Sequence, residues 1–138
     1  MRVRSGNSGG RRGGYAGVDT DGAALLLASQ RDAARRRIGS LREQIRGLAD
    51  EQALTTHDDE HDPEGMTIAY QRAQFQALLV GAEADLAALD QAESRLRDGT
   101  YGRCTRCGAP IGAERLTALP ATAVCIDCAS QRSRRRRG

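Results

Sequence analysis

The chain has 138 residues with one Phe, three Tyr and no Trp, which leaves too little aromatic bulk for a large globular core and points to helices with a thin apolar seam and a metal staple. No stretch approaches the roughly 20 apolar residues that span a bilayer, so the protein is expected to be soluble and cytoplasmic. The net charge of +3 hides an uneven layout: Arg2, Arg4, Arg11 and Arg12 at one end and Arg132 with Arg134, Arg135, Arg136 and Arg137 at the other leave 12 Arg against 18 acids between them. The body is acidic and the ends are basic.

Residues 1–21 are rich in Gly, Ser and Arg and offer almost nothing to bury, which predicts a disordered arm. They are not an apolar leader, so the chain gives no support to export into an oxidising compartment. Residues 22–99 carry two helical segments. In the first, Leu27, Ala34, Leu41 and Leu48 form one heptad position. Ala24, Arg31, Ile38, Ile45 and Gln52 form the other, with Arg31 and Gln52 interrupting the apolar seam. In the second, Ile68, Phe75, Ala82, Leu89 and Leu96 alternate with Arg72, Leu79, Leu86 and Glu93. Each stripe is too thin to stand alone, and the simplest fold is an antiparallel coiled-coil hairpin. The alternative is one continuous helix in a dimeric coiled coil. Pro63 and Gly65 in an acidic break favour the hairpin, because both disfavour a helix interior. A hairpin that satisfies its own seam is expected to be a monomer.

The break puts five carboxylates, Asp58, Asp59, Glu60, Asp62 and Glu64, at the expected tip, residues 57–64. One reading is structural: Asp62 caps a helix, Pro63 occupies its first position and Glu64 complements its positive end. The other is functional, since clustered acids repel one another and a stiff rod can carry them deep into a partner's channel. His57 and His61 stand four apart, but the adjacent Pro and Gly argue against a helical metal site there.

The second helix is expected to stop at Gly99. Residues 100–130 then hold Cys104-x-x-Cys107 and Cys125-x-x-Cys128 with 17 residues between the pairs. This spacing predicts one closed, structural Zn(2+) site, since zinc takes four thiolates at about 2.3 Å and each short spacer presents two sulfurs from one turn. Gly108 follows the first pair, where a knuckle turns sharply. A disulfide framework lacks the compartment, and a redox pair lacks a βαβ setting. Ile111, Leu116, Leu119 and Val124 are candidates for a small apolar patch against the knuckles or the helix base. Residues 131–138 form an Arg-rich tail, read as disordered.

The acidic-tipped hairpin is followed by Tyr101-Gly102-Arg103-Cys104-x-x-Cys107-Gly108, Ile111, Arg115-Leu116-x-Ala118-x-Pro120 and Cys125-x-x-Cys128. This layout resembles the DksA/TraR family of bacterial transcription regulators over about residues 23–130. The resemblance implies direct binding to RNA polymerase, insertion of the coiled coil into the secondary channel, and altered initiation, often with the stringent-response alarmone ppGpp. The family's tip reads Asp-x-x-Asp-x-Ala. Here Asp59 and Asp62 stand at the two acids and Glu64 at the alanine; starting instead at Asp62, Gly65 stands at the second acid. The N-terminal arm does not resemble the helical N-terminal region of longer members, so no alarmone-site residue carries over.

A second class is a zinc-ribbon protein that binds nucleic acid or acts as an adaptor. It rests on the terminal Arg runs with Arg103, Arg106 and Arg115 around the finger. Against it stand the acidic body and the scarcity of aromatics. An enzyme has least support: there is no nucleophile and base pair, no phosphate-cradling glycine loop and no open metal position.

Overall fold

The structure is a computed structural model that describes residues 19–55 and 63–138. The arm, residues 1–18, and most of the tip segment, residues 56–62, lie outside the described residues. Two long helices, α1 (Thr20–Thr55) and α2 (Pro63–Asp98), are followed by two short ones, α3 (Ala113–Ala118) and α4 (Ile126–Arg136). The Asp19 carboxylate caps α1 by accepting the Gly22 amide at 3.0 Å. Pro63 opens α2, where its missing N–H costs nothing.

The helices pack antiparallel. Arg31 pairs with Asp90 at 2.7 Å and also with Glu93, Arg42 with Glu83 at 3.0 Å, and Arg72 reaches Gln52 at 3.5 Å. Residue numbers rise on one helix as they fall on the other, so the register holds along the length of the rod. This excludes the continuous helix. The pairings also explain the seam's interruptions, because Arg31 meets Glu93 and Gln52 meets Arg72. Each polar break faces another polar group instead of an apolar surface, and a slipped register would leave it buried without a partner.

The predicted stripes hold the buried residues of the two helices except Ala92, which neither stripe contained. Leu27, Ile38 and Leu41 on α1 and Ile68, Ala82 and Leu89 on α2 are buried, with Ala34, Phe75, Leu79, Leu86 and Leu96 packed partly against them. Ala24 is a correction. It is exposed and Ala23 packs instead, because the straight 3.6-residue helix drifts away from a 3.5-residue repeat towards its end.

Gly99 ends α2 with φ of 78°, the Thr100 amide donating to the Arg95 carbonyl at 2.9 Å and the Gly99 amide to that of Leu96 at 3.4 Å. This two-bond cap turns the chain from the hairpin into the finger. A Cβ at Gly99 meets nothing within 4 Å, so the cost of a side chain is backbone strain alone. Gly99→Ala is expected to destabilise the protein by about 1–2 kcal/mol, read as a lowered urea midpoint with unchanged slope. An unchanged midpoint would count against the cap.

The Arg-rich tail departs from expectation. Residues 131–136 are helical, continuing α4, and only the last two residues lie beyond it. A helix started on the rigid second knuckle escapes much of the nucleation cost, and arginines in its last turn complement the negative helix end.

Candidate metal centre and hairpin tip

Two knuckles bring the cysteines together. In the first, the Gly108 amide donates to the Cys104 carbonyl at 2.9 Å and the Cys104 amide to that of Ala109 at 2.8 Å. Gly108 itself takes a φ of 74°. A bridge between Arg103 and Pro110 flanks this turn. In the second, Cys125 precedes α4 and Cys128 lies in its first turn. The knuckles are tied by Thr105, whose amide and hydroxyl both donate to the Ala123 carbonyl, at 2.8 and 3.1 Å.

The four sulfurs lie within 4.8 Å of one another, with Cys107 and Cys125 Sγ 3.7 Å apart. A zinc–sulfur distance of about 2.3 Å in a tetrahedron requires sulfurs about 3.8 Å apart, which the Cys107–Cys125 pair already has and the others reach within about 1 Å. Thiols alone at such spacing compete for protons. Amides of Cys107 and Cys125, aided by that of Arg106, hold the Cys104 thiol down at about 6. Although the Ala109 amide favours the Cys107 thiolate, hydrogen bonds shared with Cys104 and Cys125 outweigh it and raise its pKa. Cys128 is pushed up to about 12, first by its hydrogen bond with Cys125 and then by burial. A divalent cation relieves that competition by taking all four as thiolates.

The site is continuous with the hairpin base. Cys104, Cys125 and Cys128 share one buried cluster with Leu27, Leu89, Ala92, Tyr101, Ile111 and Leu116, and Val124 packs against it. The Tyr101 hydroxyl donates to the Pro120 carbonyl at 2.8 Å. Arg95 spans from α2 to the carbonyls of Ala121 and Thr122 at 3.3 and 3.4 Å. Pattern reading missed this role of Arg95. Its position four residues before the capping Gly99 was the available signal.

Two further differences concern the finger. Leu119, expected in the apolar patch, is 52% exposed, because the chain leaves α3 there with extended φ and turns the side chain outward. Arg106 and Arg115, read as basic finger residues, bind finger carbonyls instead: Arg115 Nε donates to Val124 at 3.1 Å and Arg106 Nη1 to Cys128 at 3.3 Å. They brace the second knuckle.

Of the tip acids, Glu64 lies exposed in the first turn of α2, while Asp58, Asp59, Glu60 and Asp62, with His57 and His61, lie outside the described residues. Among the described residues, the cysteine cluster is the only group of metal-ligating side chains, and no helix is long and apolar enough to cross a membrane.

Residues 99–134 match the family profile of the prokaryotic dksA/traR C4-type zinc finger. The fold matches over most of the chain too. The structure of transcription factor DksA2 from Pseudomonas aeruginosa superposes with a TM-score of 0.72 at 28% identity, covering 86% of each chain. The chain belongs to the DksA/TraR family. The RNA polymerase-binding transcription factor DksA of Escherichia coli K12 is 30% identical over 98 residues, 68% of this chain and 65% of that protein. The DksA of Caulobacter vibrioides is 41% identical over 49 residues, 36% of this chain and 34% of that protein. The match thus spans only about a third of that relative. An uncharacterised protein of Aquifex aeolicus is 44% identical over 48 residues, 33% of its length. In this DksA/TraR chain the four cysteines hold one structural zinc ion. All four coordination positions are taken by protein, so the ion holds the finger together and leaves no place for a substrate.

Proposed function

We propose that this protein binds RNA polymerase directly and inserts its hairpin tip into the secondary channel to modulate initiation. The observation that carries the reading is a rod held in register by buried side chains and cross-helix ion pairs, with its base locked to the zinc finger and with Asp58, Asp59, Glu60 and Asp62 falling in sequence between the far ends of its two helices. Each helix has 36 residues, about 54 Å at 1.5 Å per residue, long enough to carry charge into a deep channel. The names of the Escherichia coli and Caulobacter vibrioides relatives support polymerase as the partner. Asp59 and Asp62 are the principal acting groups, with Asp58, Glu60 and Glu64 adding to the local field. Near a catalytic centre such carboxylates act on metal ions and template by short-range electrostatics, which strengthens as water is excluded. The protein acts as a monomeric regulator and not as an enzyme, and ppGpp is a candidate co-effector.

The test is transcription in vitro by the cognate polymerase from a ribosomal RNA promoter. The Asp59→Asn, Asp62→Asn double variant is expected to bind polymerase and retain zinc yet lose most of its effect on transcript yield. Normal regulation by that variant would sink the tip mechanism. Adding ppGpp to both proteins separates alarmone dependence from tip dependence.

A further inference from the structure

The helical tail has properties that the polymerase reading does not use. Helix α4 starts at the zinc site and runs outward, and every residue from Ser130 to Gly138 is exposed. It carries Arg132, Arg134, Arg135 and Arg136, with Arg137 next in sequence. None of the five has a carboxylate within ion-pair distance among the described residues. Complementing the helix end calls for one or two cations in the last turn. Here Arg132 lies three and four residues before Arg135 and Arg136, spacings at which like charges oppose the helix. The surplus charge is therefore a cost to folding that the fold itself does not explain.

The angular layout narrows the partner. At about 100° per residue, Arg132, Arg134, Arg135 and Arg136 spread over about 200° of the helix circumference instead of lining one narrow face, and Arg137 follows at its end. An acidic protein surface would meet only one side of such a cylinder. A groove walled by phosphates meets both of its flanks at once. A helix about 10–12 Å across with its side chains matches the major groove of B-form DNA, about 12 Å wide. The corresponding groove of duplex RNA is too narrow for side chains to enter. Guanidinium forks also suit phosphate oxygens. Residues 13–130 carry 12 Arg against 18 acids, so the body is repelled by DNA and a basic end approaches first, of which α4 is the one with a defined helix. We infer that α4 is a sequence-independent docking element for double-stranded DNA, seated in the major groove with Arg132 and Arg134 to Arg137 on backbone phosphates. The inference does not rest on the polymerase reading, and its test contains no polymerase.

The experiment is fluorescence anisotropy of the zinc-loaded full chain with a labelled mixed-sequence duplex across a salt series. Five arginine contacts at about 0.9 each contribute about 4.5 to the slope of log affinity against log salt, roughly 500-fold between 50 and 200 mM salt. Replacing the five arginines by Gln is expected to remove that share of the slope while zinc content and helical circular dichroism stay near wild type. Replacing them by Lys should restore the slope. Arg2→Gln, Arg4→Gln, Arg11→Gln and Arg12→Gln together should leave the α4 share in place. Equal affinity and slope for wild type and the Gln variant would overturn the inference. So would duplex binding lost only with the arm substitutions. Absence of duplex binding by the wild-type protein at 50 mM salt would overturn it as well.

Discussion

Cys128→Ser is expected to reduce zinc from one ion per chain to near zero and to unfold the finger together with the base of the hairpin. The reach of the effect follows from the shared core. Cys104, Cys125 and Cys128 pack in the same cluster as Leu27 and Leu89, so loss of the metal loosens groups that also hold α1 against α2. Helix α4 has only 11 residues and carries the lost ligand in its first turn, and a helix that short is marginal without an anchor. By contrast, Ile38, Leu41 and Ala82 form a separate cluster further along the rod, and that part of the coiled coil should keep its helicity. Metal analysis together with amide exchange checks this. Strong protection of Ile111 and Leu116 amides in the zinc-free variant would refute it.

The same site predicts the direction of its pH dependence. Zinc binds thiolates, and in the metal-free protein Cys104 is held at about 6 while Cys107 is raised and Cys128 is pushed to about 12. At neutral pH Cys104 has already lost its proton, whereas Cys107 and Cys128 surrender theirs to the metal. Affinity therefore rises with pH. Below the Cys104 value a further proton must be displaced, so log affinity against pH should steepen by about one on the acid side of pH 6. Competition titration with a chelator of known affinity across that range reads the slope directly. A slope that flattens on the acid side would contradict the assignment.

The second large effect is expected from Leu27→Ala. Leu27 is 1% exposed and sits where α1, α2 and the finger meet. Removing three carbons there leaves a cavity walled by elements fixed by the metal and by the Tyr101 and Arg95 hydrogen bonds, so little collapse can fill it. A loss of about 2–5 kcal/mol follows from comparable core truncations, a large share of the roughly 5–15 kcal/mol that holds a typical domain. Urea unfolding of the zinc-loaded protein measures it. The companion substitution Leu41→Ala lies in the other cluster. Both should lower stability, but only Leu27→Ala should speed zinc loss to a chelator. Equal rates of zinc loss for the two variants would show that the hairpin base and the finger are not one unit.

Much of this organisation was legible because it rests on local chemistry. The spacing of Cys104, Cys107, Cys125 and Cys128 specifies a tetrahedral thiolate site with little help from the rest of the chain. Heptad spacing likewise identified Leu27, Ile38, Leu41, Ile68, Ala82 and Leu89 as the seam, since side-chain direction along a helix is a property of the helix. Gly99 marked the end of α2 for an equally local reason, its tolerance of positive φ.

What only the tertiary structure decided depends on which groups meet across a distance. The polar residues Arg31, Gln52, Arg72 and Glu93 read as defects in two separate stripes, and only the antiparallel register makes them partners. Arg106 and Arg115 carry the same charge as the arginines of α4, yet they donate to knuckle carbonyls while those of α4 stay in solvent. Composition cannot separate a bracing arginine from one available to a partner, because the difference lies in which carbonyls the fold leaves within reach. The tail's helix has the same origin. Its residues alone, short and densely charged, favour a solvated coil, and it is the knuckle at Cys125 and Cys128 that supplies the first turn on which the helix propagates.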